Sequence, residues 1–248
     1  VLSIFIEPIY IVSAFALLLL AALILSSPEA GILLVFLTLP FLSTMNLITI
    51  LTLIFLSYIL KLICGRRVIK FTLVDFTVIA FLIFVFFGGI FTVDSSSAQK
   101  MLVFVCFMLG YFVVKNTVRS PALVRKCLYS LTLSSVVVSF YGLYQNFFET
   151  PSTTWQDTSV FSEIKGRVVS TFANPNVLGE YLILIFPIIL ALMITAKRTN
   201  ERFALLLAAA ANCACLVFTW SRGAWLGFAI SLLLFCCLSS KHFFTAGI

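Results

Sequence analysis

The chain has 248 residues, of which 62% are hydrophobic and only 10% charged, with 27 Phe. Soluble domains carry roughly a quarter charged residues, and a chain this apolar cannot hide so much surface within itself; a water-soluble domain is excluded, and lipid is the solvent that fits. The net charge of +7 is no nucleic-acid signal, because Lys and Arg stand in short clusters between apolar runs, where they orient a membrane protein.

In chain order, apolar runs cover about 9–26, 30–43, 45–61, 72–92, 99–115, 123–145, 175–195, 203–219 and 222–239. They predict an all-α, polytopic transmembrane helix bundle of about nine spans. The stretch 31–60 decides between nine and eight. As one straight helix it runs about 45 Å, beyond a ~30 Å hydrocarbon core, and Pro40 with Ser43, Thr44 and Asn46 offers a place to turn. Two short spans are the preferred reading. No polar stretch is long enough for a soluble domain, so 1–248 reads as a single transmembrane domain. Its one long loop is 146–174, which carries Trp155, Asp157, Glu163, Lys165 and Arg167.

Under that topology Lys61, Arg66, Arg67, Lys70, Lys115, Arg119, Arg125, Lys126, Lys197, Arg198, Arg202 and Lys241 share one side, and Lys100, Lys165, Arg167 and Arg222 the other. The first side is therefore expected to be cytoplasmic and loop 146–174 external. The chain starts at Val1, outside the cell on this reading, and stops soon after a span, so a piece of a longer protein is expected. The seven Cys show no metal-ligand spacing and have no His or carboxylate beside them, which makes them small core residues and leaves no metal site expected. Asp75 stands where a helix-start carboxylate belongs. His242, the one His, follows the last span on the cytoplasmic side and reads as an interfacial residue. No nucleotide, zinc-protease or serine-hydrolase motif occurs.

Two external motifs stand out. In Arg167-Val-Val-Ser-Thr-Phe-Ala-Asn-Pro-Asn-Val-Leu-Gly179, Asn174 is an N-cap and Pro175 fits the first helical position, so a helix enters the membrane with its free N–H groups facing out. In Thr219-Trp-Ser-Arg-Gly-Ala-Trp-Leu-Gly227, Ser221 caps the next helix, Arg222 opens it, and Gly223 and Gly227 give a GxxxG face for close packing. Glu180 lies one turn below Asn176 on the same face. On spacing alone a plainer account, capped helices beside arginines that reach for the headgroups, is the preferred one for the first motif and stands level with a functional one for the second.

Taken together, STFANPNVLGEYL at 170–182, a span, a basic turn, a further span and TWSRGAWLG at 219–227 resemble the O-antigen ligase/polymerase superfamily over about 165–240. The resemblance implies a glycosyltransferase on the outer face of the bacterial cytoplasmic membrane. It would take a glycan from an undecaprenyl-pyrophosphate donor to a glycan or glycolipid acceptor, with no metal or other cofactor needed. In that family external arginines hold the donor pyrophosphate. The arginine of the Ser-Arg-Gly motif maps onto Arg222, and Arg167 is the second candidate, with Ser221, Gly223, Asn174, Asn176 and Glu180 in support. A guanidinium fork suits a pair of pyrophosphate oxygens. The family's acceptor-activating His, in a later external loop, has no counterpart here, so the catalytic residue stays unassigned. The alternative is a membrane transporter of a small anion such as bicarbonate, which some relatives with this pattern suggest; inverted repeats that would favour it are not visible.

Overall fold

The computed structural model describes residues 8–91, 95–149 and 166–245. These residues form nine helices and no strand: α1 (Pro8–Ser26), α2 (Pro28–Thr38), α3 (Thr44–Ile63), α4 (Leu73–Ile90), α5 (Ser95–Thr117), α6 (Pro121–Phe148), α7 (Pro175–Thr195), α8 (Thr199–Phe218) and α9 (Arg222–Thr245). Among them α3 to α9 each contain a window long and apolar enough to cross a membrane, and the chain is a multi-pass, all-α membrane protein. Large apolar side chains face outward along these helices, among them Phe84 at 76% and Leu226 at 65% exposure, as lipid-facing surfaces require.

The stretch 31–60 forms two helices separated by a turn over 39–43, as its length demands. The first of them is shorter than the expected 30–43. Ser27 accepts the Ala30 N–H at 3.3 Å and Pro28 takes the first position, so α2 starts early. It stops at Thr38, two residues before Pro40, which has no N–H to continue the ladder. Eleven residues rise only about 16 Å, roughly half a hydrocarbon core, so α2 as a helix is too short to cross by itself.

The chain gathers into two compact units, 1–127 and 128–248. The division falls inside α6, where composition carries no mark of it. In the first unit α3 packs against α1, α2 and α5, and α4 packs on α5. Ile24, Ile32, Val35, Ile54, Tyr58 and Val113 form the core. Gly31 lets α2 and α3 approach: a Cβ there would lie 2.6 Å from Ile54 Cγ1. One end of this unit is tied by polar bonds. The Ser57 hydroxyl donates to the Leu25 carbonyl at 2.8 Å and the Lys61 ammonium to the Ser26 carbonyl. Arg67 pairs with Glu29. Asp75 is the helix-start carboxylate its position suggests, receiving the Thr72 N–H; it is fully buried, pairs with Lys115 and accepts the Tyr111 hydroxyl at 3.0 Å.

In the second unit α7 is the central helix, packed against α8 and α9. Leu178, Leu182, Ile185 and Ile189 of α7 are buried with Val138, Cys215, Leu216 and Ala224, and Phe186 meets Phe228 of α9 edge to face at 4.7 Å. A polar seam lies between α6 and α8. Ser134, Ser135 and Ser139 are fully buried, and the Asn212 amide donates to Ser135 Oγ at 3.3 Å and to the Ala208 carbonyl at 2.9 Å. At the far end of the same pair, the Tyr129 hydroxyl bonds Glu201 of the first turn of α8.

Candidate functional site

The site is built from the segment 166–174, the first turns of α7 and α9, and the end of α8. Its polypeptide is held from both sides. The Val168 N–H donates to the Phe218 carbonyl at 3.1 Å, so the segment runs alongside the last turn of α8. Ser170 has φ +50°, in the left-handed region that a serine rarely adopts. Such a conformation costs on the order of 1–3 kcal/mol and persists where surroundings over-determine it. Here Gln145 of α6 does so: its Oε1 accepts the Ser170 N–H at 2.7 Å and its Nε2 donates to the Ser170 carbonyl at 3.3 Å. The Ser170 hydroxyl adds a bond to the Val138 carbonyl at 2.6 Å. From there the chain turns into α7, with Asn174 as N-cap accepting the Asn176 N–H at 2.8 Å and Pro175 in the first position, as its sequence predicts.

The second motif is a tight turn. Thr219 is fully buried, and its hydroxyl donates to the Leu216 carbonyl at 2.7 Å. Trp220 follows with φ +49°, the other non-glycine in the left-handed region among the described residues. Ser221 Oγ then accepts the Ala224 N–H at 3.4 Å, capping α9 as expected, and Arg222 is the first helical residue. Trp225 is turned back over the joint, its indole N–H donating to the Leu216 carbonyl at 3.2 Å, with the Trp220 ring 5.8 Å away.

Arg167 joins the two motifs. Its Nε donates to the Thr219 carbonyl at 2.8 Å and an Nη to Asn176 Oδ1 at 2.7 Å. It is half-buried, and that burial lowers its pKa from the ordinary arginine value. An arginine stays charged through such a shift, so one end of the unit holds a fixed cation between the start of α7 and the turn into α9. Arg222 differs. It is exposed, and its side chain has no hydrogen bond or ion pair among the described residues. The arginines expected to act alike are thus one held cation and one projecting cation.

Asn174 and Asn176 belong to the α7 start just described. Glu180 is exposed, one turn below Asn176, and has no ion pair among the described residues. Gly223 is exposed, and a Cβ there would meet nothing within 4 Å. The GxxxG reading is therefore corrected at Gly223 and holds at Gly227, where a Cβ would lie 3.1 Å from Ile183 Cδ1 of α7. The closer approach of the two helices is at Gly179 of α7, where a Cβ would lie 2.6 Å from Ala224 Cβ. A glycine on the partner helix, four residues past Pro175, was the relevant small residue. Trp155, Asp157, Glu163 and Lys165 lie outside the described residues, as does the side chain of His242.

Sequence reasoning missed Gln145, whose polar side chain near the end of an apolar span was the available signal. It also missed the exposed aromatic row Tyr141, Tyr144 and Phe148 on α6, stacked at 6.5 Å and 5.3 Å. That row reaches the same end of the unit, since Phe147 meets Phe218 at 5.8 Å. Compared with protein-family models, with curated proteins and with solved structures, the chain finds no match.

Proposed function

We propose that this end of the second unit holds the pyrophosphate of a polyprenyl-linked glycan. On this reading the chain is the donor-binding part of a membrane glycosyltransferase of the O-antigen ligase/polymerase type, working on the outer face of the bacterial cytoplasmic membrane. The basic loops at 61–70, 115–126 and 196–202 and the residues after 239 then face the cytoplasm, by the excess of Lys and Arg there.

The observation that carries the reading is the Arg167 bridge. It gathers the two motifs on which the family resemblance rests, 170–182 and 219–227, at one end of one unit. Two helices start there, so N–H donors and the positive ends of two dipoles accompany the cations. The projecting Arg222 supplies a planar two-donor fork, and the held Arg167 adds fixed positive charge. In the transfer an acceptor hydroxyl oxygen forms a bond to the anomeric carbon as the bond from that carbon to the pyrophosphate oxygen breaks. The electron pair leaves with the diphosphate, where the arginines stabilise it. The acceptor proton goes to a base that no described residue of this chain is assigned to be.

The test is Arg222→Lys beside Arg222→Ala, measuring membrane abundance and binding of undecaprenyl pyrophosphate by protein in nanodiscs. The expected result is normal abundance with binding reduced at least tenfold in both, because an ammonium lacks the fork. Wild-type binding by both variants leaves Arg222 a headgroup anchor and removes the proposal.

A further inference from the structure

Arg66-Arg67-Val68-Ile69-Lys70-Phe71, between α3 and α4, is a chain segment without helix, yet it is fixed in place. The Lys70 N–H donates to Asn116 Oδ1 at 2.9 Å, and the Arg119 guanidinium holds the Val68 carbonyl at 2.9 Å and Asn116 Oδ1. The Tyr58 hydroxyl reaches the same Val68 carbonyl at 3.4 Å. A pinned, non-helical segment of this kind ordinarily turns its apolar side chains inward. This one does the opposite: Val68 is 64% and Phe71 58% exposed, beside Leu73 at 87%.

The charges divide in the same way. The two acids nearby are spoken for, Glu29 by Arg67 and Asp75 by Lys115. Arg66 and Lys70 are exposed, and neither side chain has a hydrogen bond or ion pair among the described residues. The segment therefore presents two uncompensated cations alternating with exposed apolar side chains, at the mouth of two membrane helices. Cations alone would be satisfied by water, and exposed apolar groups alone by acyl chain. Only the boundary between acyl chain and phosphate suits both at once.

We propose that residues 66–71 form a preorganised binding site for anionic phospholipid, with Val68 and Phe71 seated at the acyl boundary and Arg66 and Lys70 on the headgroup phosphate. This site is in the first unit and does not depend on the donor-binding proposal. Because the backbone is already fixed by Asn116, Arg119 and Tyr58, little ordering is lost when a lipid binds, which favours a retained lipid over a passing one. Attraction of a surface cation to an anionic leaflet is worth about a fivefold change in binding per residue.

The experiment is native mass spectrometry of the full chain released from micelles containing equal phosphatidylglycerol and phosphatidylcholine. Wild type should retain phosphatidylglycerol preferentially. Arg66→Gln/Lys70→Gln should lose that preference by roughly twenty-five-fold if both cations act independently, with the melting temperature in detergent unchanged. Val68→Ser/Phe71→Ser should weaken retention of phosphatidylglycerol while leaving the charge intact. The control is Lys197→Gln/Arg198→Gln, an equal charge change at an exposed turn of the second unit. Equal loss in the control would reduce the effect to bulk attraction and overturn the proposal. So would undiminished retention in the 66/70 variant, or displacement of the lipid by millimolar inorganic phosphate, which would mark a plain anion site.

Discussion

Gly179→Ala isolates the contact that sets the two candidate motifs side by side. The added methyl would sit 2.6 Å from Ala224 Cβ, and that carbon is bonded to helix backbone, so no side-chain rotation relieves it. Overpacking of this kind costs about 1–3 kcal/mol, and a rigid neighbour places it toward the upper end. Replacing a helical glycine by alanine returns about 1 kcal/mol of helix propensity. The net expectation is a loss of about 1–2 kcal/mol. Gly223→Ala, where a Cβ meets nothing within 4 Å, should be neutral or stabilising by up to about 1 kcal/mol. The decisive variant is Gly179→Ala/Ala224→Gly, which moves one methyl from α9 to α7. It should come within about 1 kcal/mol of wild type, a coupling of about 2 kcal/mol relative to the two single changes. The assay is reversible unfolding in mixed detergent micelles, followed by the fluorescence of Trp220 and Trp225. Additivity within about 0.5 kcal/mol would show that α7 and α9 do not meet at this point and would separate the two motifs.

Further outcomes follow from the polar clamps. In Glu29, burial acts to raise the pKa, but hydrogen bonds from its own backbone and from Arg67 outweigh it, so the folded value lies below the ordinary 4.5. The stability this supplies is complete above pH 4.5 and is lost as pH falls through the lower folded value. Being partly exposed, the pair should contribute no more than about 1 kcal/mol, and Glu29→Gln should flatten that part of the pH–stability curve. Lys115→Met should destabilise the first unit by leaving the buried Asp75 carboxylate without its cation, and Asp75→Asn added to it should restore much of the loss. Unchanged melting of Lys115→Met would argue against that ion pair. Gln145→Leu leaves the buried Ser170 N–H without its acceptor and should cost about 1–3 kcal/mol. Amide hydrogen exchange at 168–172 should rise in that variant while exchange in α4 stays as in wild type.

The helices were legible because their cause is local. Uninterrupted apolar runs leave a backbone in lipid no alternative to helix, and Asn174-Pro175 and Ser221 mark starts by chemistry confined to a few residues. The early stop of α2 was less visible, since it depends on where Ser27-Pro28 starts the helix relative to Pro40. The site was legible in its members and not in their roles. Nothing in the sequence separates Arg167, anchored on Thr219 and Asn176, from Arg222, which projects, because the difference lies in carbonyls brought close by the fold. Gln145 and Ser170 escaped notice for the same reason: 25 residues separate them, and the bond between them has no local pattern. The glycine that mattered for packing was legible only as a pair across two helices, Gly179 with Ala224.

The seam between α6 and α8 bears on how the protein is made. The Ser135 hydroxyl proton is bonded to the Thr132 carbonyl of its own helix, at 2.8 Å, while its oxygen accepts from Asn212. Asn212 likewise gives one amide proton to Ala208 of its own helix and the other to Ser135. Ser135 and Asn212 can therefore each enter the membrane with a hydrogen already given to a carbonyl of its own helix, so insertion of α6 need not wait for α8, whose Asn212 lies 77 residues beyond Ser135. What remains at these two residues is a lone pair on Ser135 of α6 and, on α8, one Asn212 N–H beside its buried, unpartnered side-chain oxygen; the lone pair and the N–H are free to find each other in the bilayer. Assembly is then a later event than insertion, driven by an amide proton that has no other acceptor within the lipid.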